Sequence, residues 1–198
     1  QSVVKKHIDL IGGEKALSQI KTMLITYKGS IQGQELVMVT KSSNKNLNSM
    51  VLTGMGMTLA KNIVGKDFAY TESQGKRTDV KCDEYTQMKQ ESIPFQELAM
   101  LKDKNILLTG IEKISEKEAY VVVYGKSKYY YDVNTGYRIA AELQGKNGKP
   151  ATVVNYNDYK DFKGIKYPYL MSINAGFPLD FNAFEVKINE GITDKDFE

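Results

Sequence analysis

The residues able to do chemistry are few and scattered. His7 is the only histidine and Cys82 the only cysteine. Zinc takes three or four ligands, so this distant pair would need carboxylates to complete a site. The chain contains no His-Glu-x-x-His and no His-x-x-Glu-His, the spacings that set two histidines beside a glutamate on one helix face. By itself it is no zinc peptidase of either kind, and no metal or cofactor is expected. His7 lies near Val3, Val4 and Ile11, which makes it a surface or half-buried residue of a first helix. Cys82 stands between Lys81 and the acids Asp83 and Glu84. A cation lowers a thiol pKa and acids raise it, so an inert thiol at a strand end is the expectation.

Other motifs read just as plainly. Nothing matches Gly-x-Ser-x-Gly, and Gly54-Met55-Gly56 lacks the Lys-Ser/Thr of a phosphate loop. Gly12-Gly13 before Glu14 ends a helix more simply than it cradles an anion. Asp158/Asp161 and Asp194/Asp196 sit in turn-like or terminal sequence beside lysines, as solvated acids do. Five of the thirteen tyrosines, Tyr124, Tyr129, Tyr130, Tyr131 and Tyr137, gather around one hairpin. Tyrosine suits half-wet pleated surfaces, and no basic aromatic RNA-binding motif accompanies them, so cross-strand pairing is expected. The methionines leave two readings open. Met38, Met50, Met55 and Met57 fall early and Met171 late. Thioethers fill ordinary cores, and they also line surfaces that adapt to variable apolar ligands. No catalytic set emerges, and the chain is expected not to be an enzyme.

These residues need elements to hold them. The 198 residues fit one domain, 1–198, and 41% apolar content supports a real core. A dispersed net charge of +3 does not signal a nucleic-acid partner. No apolar run approaches the ~20 residues of a membrane-spanning helix. The start at Gln1 without Met points to something removed, a signal or an upstream domain. Ser2 to Ile11 predicts a helix, with Val4, Ile8 and Ile11 on one face, ended by Gly12-Gly13. A short helical turn follows from Glu14. The period then becomes two. Strands are predicted around Gln32-Gly33, Gly54-Met55-Gly56, Gly65-Lys66-Asp67 and Gln74-Gly75-Lys76. A helix-tolerant stretch covers Asp83 to Glu91, and Pro94 opens a helix to about Leu101. Strands resume from Asn105.

The run Tyr129 to Ala140 is the clearest hairpin. Asp132 can bond forward to backbone amides, and Asn134 and Gly136 can take φ > 0. Lys146-Asn147-Gly148-Lys149 makes the next hairpin, and a bulge near Ala183-Phe184 would keep the last strand's apolar residues on one face, the alternative being a strand buried on both sides. The fold class is mainly β: a strongly curled antiparallel sheet of about eleven strands, an incomplete β-barrel. A few short helices cover its mouth or concave face.

Several stretches together carry a family resemblance. They are Ile11-Gly12-Gly13-Glu14-Lys15-Ala16-Leu17-Ser18-Gln19-Ile20-Lys21-Thr22, then Gly110-Ile111-Glu112 with Ala119-Tyr120, then Tyr130-Tyr131-Asp132-Val133-Asn134-Thr135-Gly136. Asp158-Tyr159-Lys160, Gly164-Ile165-Lys166-Tyr167-Pro168 and Val186 through Phe197 complete the order. In this order the chain resembles the LolA-like periplasmic lipoprotein-carrier superfamily, in particular the outer-membrane lipoprotein-sorting-type domains of Bacteroidetes. It also resembles the domains found C-terminal to M16-type zinc peptidases. The chain departs from similar domains in having no tryptophan.

The resemblance implies a curled half-barrel, export to the periplasm or cell envelope of a Gram-negative bacterium, and an apolar cavity for acyl chains. It carries over no catalytic residue. The expected function is a non-catalytic binding module for a lipid, a lipoprotein acyl chain or another apolar ligand. The alternative is an accessory domain of a larger M16-type peptidase without its own ligand. Expected partners are a lipid or lipoprotein, and an upstream peptidase domain or envelope protein. The cavity-lining candidates are Met38, Met50, Leu52, Met57, Leu59, Ile106, Leu108 and Met171.

Overall fold

A computed structural model describes residues 1–144, 151–174 and 178–198. The expected hairpin at Lys146-Asn147-Gly148-Lys149 lies outside the described residues. Thirteen antiparallel strands, against the eleven or so expected, form one sheet that does not close into a barrel. Its strand order is β6-β5-β4-β3-β2-β1-β13-β12-β11-β10-β9-β8-β7. The strands are β1 (Thr22–Ile31), β2 (Gln34–Ser43), β3 (Leu47–Gly54), β4 (Met57–Val64), β5 (Ala69–Ser73), β6 (Lys76–Asp79), β7 (Leu107–Ile114), β8 (Lys117–Tyr124), β9 (Ser127–Asp132), β10 (Arg138–Leu143), β11 (Thr152–Phe162), β12 (Ile165–Asn174) and β13 (Pro178–Ile188). The helices are α1 (Ser2–Ile11), α2 (Glu14–Ser18), α3 (Cys82–Gln90) and α4 (Gln96–Lys102). A 3-10 turn, Asp194–Phe197, follows β13. The chain divides into two compact units.

The first unit comprises Gln1–Leu17 and Glu97–Asp180. Helix α1 buries Val4, His7, Ile8 and Ile11, the stripe its 3.6-residue period predicts, plus the histidine. Gly12 ends it with φ 141°, and the Gly13 N–H closes back on the Ile8 carbonyl at 2.9 Å. A side chain at Gly12 is strained by that φ. A Cβ there would lie 2.7 Å from Ile165 Cδ1, at the start of β12. Helix α4 turns Met100 inward, and Glu97 with it. Pro94 precedes that helix by two residues instead of opening it. On one face of β8 to β10, Ala119, Val121, Tyr130, Ile139 and Ala140 form an apolar cluster with Ile114.

The hairpin β9–β10 is built mostly as its residues predict. Asp132 Oδ1 accepts from the N–H groups of Asn134 at 2.9 Å and Thr135 at 2.7 Å. Gly136 takes φ 83°, whereas Asn134 is not among the residues of positive φ. The two bonds from Asp132 already fix the turn, so a single left-handed residue reverses the chain.

The second unit comprises Ser18–Gln96 and Phe181–Glu198. Strand β1 alternates, with Met23, Ile25 and Tyr27 buried. In β13, Thr26 faces Glu185 and Tyr27 faces Ala183, which leaves Phe184 as the extra residue of a bulge. The expected bulge therefore exists, and it keeps Phe181, Ala183, Val186 and Ile188 on one face. Phe184 itself is 66% exposed. Helix α3 packs its one buried residue, Met88, on Val64 and Ala69. The chain ends in a capping box: the Thr193 N–H donates to Asp196 Oδ2 at 2.7 Å. Asp196 also accepts from Lys41 of β2, and Phe197 is buried.

Candidate functional site

Strand register decides which of the apolar candidates share a face, because residues directly opposite in a ladder point the same way. In the second unit the pairs Ala183–Tyr27, Tyr27–Met38, Met38–Leu52 and Leu52–Ala60 run as one row across β13, β1, β2, β3 and β4. The adjacent row on that face is Val186–Ile25–Thr40–Met50–Asn62. Met38, Met50 and Leu52 therefore lie together. Leu59 joins them through an irregularity: the β3–β4 register shifts between Leu52 and Thr53. Leu59 Cδ1 and Leu36 Cδ2 then close over Gly54, 2.9 and 2.7 Å from where a Cβ would stand. Met38 is buried, while Met50, Leu52 and Leu59 are half-buried. Met57 faces Gly54 at the hairpin end and is 58% exposed, beside the exposed Met55.

The first unit carries the other three candidates. A row Leu108–Val122–Tyr129–Ala141–Val154–Ile173 crosses β7 to β12. Met171, opposite Tyr156, sits two residues from Ile173 on that same face. Leu108 and Met171 thus share a face, at opposite sides of this unit's strands. Ile106 is half-buried just before β7. Leu108 borders a cleft of about 400 Å³, with Val3, Lys6, Tyr120, Asp132 and Val133 around it.

Beside these rows lies a polar cluster that the sequence did not announce. Arg138 of β10 donates from Nη1 to Glu97 Oε1 of α4 at 2.6 Å. His7 of α1 accepts the Arg138 backbone N–H on Nδ1 at 3.2 Å, and its Nε2 stands 3.8 Å from Glu97. Tyr131, Tyr137 and Tyr159 meet the imidazole edge-on at 5.3 to 6.3 Å between ring centres. The guanidinium lies 4.6 Å over the Tyr156 ring. The Tyr159 hydroxyl donates to the Arg138 carbonyl at 2.8 Å.

His7 is 2% exposed, which corrects the expectation of a surface or half-buried histidine. Its neighbours explain the burial: Tyr131, Tyr137 and Tyr159 pack around the ring, and the Arg138 N–H, the Gly136 backbone and Glu97 lie at its nitrogens. Burial drives its pKa down to about 4, Glu97 opposing and Arg138 assisting. The imidazole is therefore neutral at pH 7, and its approach to Glu97 is not an ion pair there. Burial pushes the Glu97 carboxyl up, but Arg138 and then His7 outweigh it and hold it below the usual value. Burial likewise lifts Tyr131, Tyr156 and Tyr159. The cluster is a neutral histidine beside a buried ion pair in which Arg138 Nη1 is bonded to Glu97, while Arg138 Nε has no partner among the described residues. The two bonds to Arg138, from its Nη1 to Glu97 and from its backbone N–H to His7, fasten α4 and α1 to β10. One signal could have found it: a histidine on an otherwise apolar helix stripe needs a partner where it is buried. Among the described residues, no three His, Cys, Asp or Glu side chains gather as a metal set.

No protein-family model matches the sequence, and no curated protein matches it. Solved structures do resemble the fold. A LolA superfamily protein from Nitrosomonas europaea superposes with a TM-score of 0.59 at 12% identity, over 100% of this chain and 96% of that one. A DUF1329 family protein from Desulfovibrio piger gives 0.55 at 10% identity, over 100% and 96%. An outer membrane lipoprotein-sorting protein domain from Vibrio parahaemolyticus gives 0.54 at 12% identity, over 92% of each chain. With one antiparallel sheet, a few short helices and alignments spanning almost the whole of each partner, this chain has the fold of the LolA superfamily structures.

Proposed function

We propose that this protein is a non-catalytic binding module for a lipid, a lipoprotein acyl chain or a similar apolar ligand, exported to the periplasm or cell envelope of a Gram-negative bacterium. The observation that carries the reading is the composition of the β3–β4 hairpin. From Asn46 to Ala60 no residue is charged, in a chain that is 26% charged overall. Within it Met50, Leu52 and Leu59 share a face with Met38 and remain half-buried. Such a face takes up methylene groups at about 0.8 kcal/mol each, and its rows carry no charged side chain to pair with an ionic ligand. The thioethers tolerate acyl chains of differing length and curvature. The proposed lining in the second unit is Met38, Met50, Leu52, Met57 and Leu59; Ile106, Leu108 and Met171 are proposed apolar contacts of the first unit taken by itself. The likeness to a lipoprotein-sorting domain supports this reading. Nothing observed favours the accessory-domain alternative. Among the described residues no helix is long and apolar enough to cross a membrane.

The test is lipid extraction and native mass spectrometry of freshly purified protein, followed by displacement of a fluorescent fatty acid. A lipid-sized adduct and saturable probe binding are expected, with Leu52→Asp weakening the probe at least tenfold. Circular dichroism checks that the variant is folded, and Leu52→Met is expected to bind as the parent does. A protein with neither adduct nor probe binding overturns the proposal.

A further inference from the structure

The sheet has two terminal strands, and they are built on opposite principles. A bare strand edge pairs with any passing chain, and proteins normally blunt it. Strand β6 is blunted: it has four residues, Lys76–Asp79, all exposed, three of them charged. Arg77 binds Asp79 at 2.8 Å and stacks on Tyr70 at 3.9 Å. Strand β7 is not. It has eight residues, and the first seven are exposed. Three of them are large aliphatics: Leu107 at 58%, Leu108 at 56% and Ile111 at 54%. Its charges, Glu112 and Lys113, lie only toward the far end, where Lys113 is taken up by Glu116 at 2.9 Å.

We propose that the outer edge of β7 docks an extended polypeptide segment of a partner protein, which adds to it as a further strand. The edge itself selects the occupant. Alternating backbone donors and acceptors are matched by another extended backbone, and by neither a lipid chain nor a bilayer surface. The side chains then give specificity. Leu108 faces Val122 and Ile111 faces Tyr120 across the β7–β8 ladder, so Leu108 and Ile111 point to one side, where the 400 Å³ cleft opens. A partner strand places every second residue on that side, against Leu108, Ile111 and the cleft mouth. Those residues are apolar and the alternate ones polar. The register shift between Leu108 and Gly110, with Gly110 at φ 144°, bends the edge and limits the pairing to short segments. Leu108 is also one of the proposed lipid contacts, so the deciding substitution is Ile111→Lys, at a residue outside that set.

The probes are a blocked eight-residue peptide of alternating valine and threonine, and the same peptide N-methylated on alternate residues of either edge. Fluorescence anisotropy with the full chain is expected to show saturable binding of the plain peptide. Ile111→Lys is expected to weaken it at least tenfold while leaving the fatty-acid probe unaffected. N-methylation of the pairing edge is expected to abolish binding, and the peptide to slow amide exchange along β7. No binding at millimolar peptide overturns the proposal, as does equal binding of both N-methylated forms. Loss of a wild-type dimer in Ile111→Lys by sedimentation overturns it in favour of a second copy. Loss of phosphatidylglycerol vesicle binding in that variant overturns it in favour of a membrane surface.

Discussion

The neutral buried histidine makes a measurement of unusual directness available, because the chain has one histidine and hence one imidazole Cε1 resonance. In the unfolded chain His7 titrates at its ordinary 6.5; in the fold it titrates at about 4. Between those values the unfolded chain binds the proton and the folded protein does not. Stability therefore rises with pH across this window and is lost as pH falls from 6.5 toward 4. Evaluated at pH 4.5 against pH 7, a single site so displaced costs about 2 kcal/mol. For a chain of this length that is a fall of roughly 4–8 °C in Tm. Carboxylates titrate over the same range, so the assay compares the parent with His7→Gln. Glutamine keeps an acceptor for the Arg138 N–H and removes the titration. Melting curves at pH 7 and 4.5, followed by circular dichroism, are expected to fall by that much more in the parent than in the variant. An NMR titration reads the site directly. A Cε1 shift centred near 6.5, or equal acid losses in parent and His7→Gln, would refute the reasoning, since either means the ring is hydrated.

Arg138→Met strands the Glu97 carboxylate at 2–3% exposure and is expected to cost about 3–5 kcal/mol in urea unfolding, whereas Arg138→Met with Glu97→Leu recovers most of it. A double variant as unstable as the single one would show that the charges were not coupled. Gly12→Ala puts a Cβ 2.7 Å from Ile165 Cδ1 on a residue held at φ 141°, and a loss of about 1–3 kcal/mol is expected from the same unfolding curves. An unchanged midpoint would mean that α1 ends differently in solution.

Local pattern carried much of this fold into the sequence, and its reach stops where contacts become distant. The strands were legible because alternation and turn residues act within a few positions. The bulge at Phe184 showed as a change of parity between Ala183 and Val186. The end of α1 showed as Gly12-Gly13. Asn134 misled because residue type licenses φ > 0 without requiring it, and the Asp132 bonds had already made the turn. The apolar row through Met38 and Leu52 followed from parity. The placement of Leu59 was not legible, since the shifted β4 register that turns it over Gly54 leaves no mark in the pattern. Glu97 and Arg138 were not legible at all. A glutamate in the first turn of a helix reads as an exposed, dipole-favoured acid, and its partner is 41 residues away.

That distance gives the buried pair its meaning. Two apolar side chains of the same volume would hold α4 to β10 about as firmly, because the Coulomb gain is largely spent on desolvation. They would not hold it at one place. The Glu97 carboxylate can satisfy the guanidinium only where Nη1 points, and His7 can accept only the N–H of that same residue. Helices α1 and α4, far apart in the chain, are thereby referred to a single position on one strand. An apolar seam can slip by a residue at little cost, whereas here a slip leaves a buried carboxylate and a buried imidazole without donors.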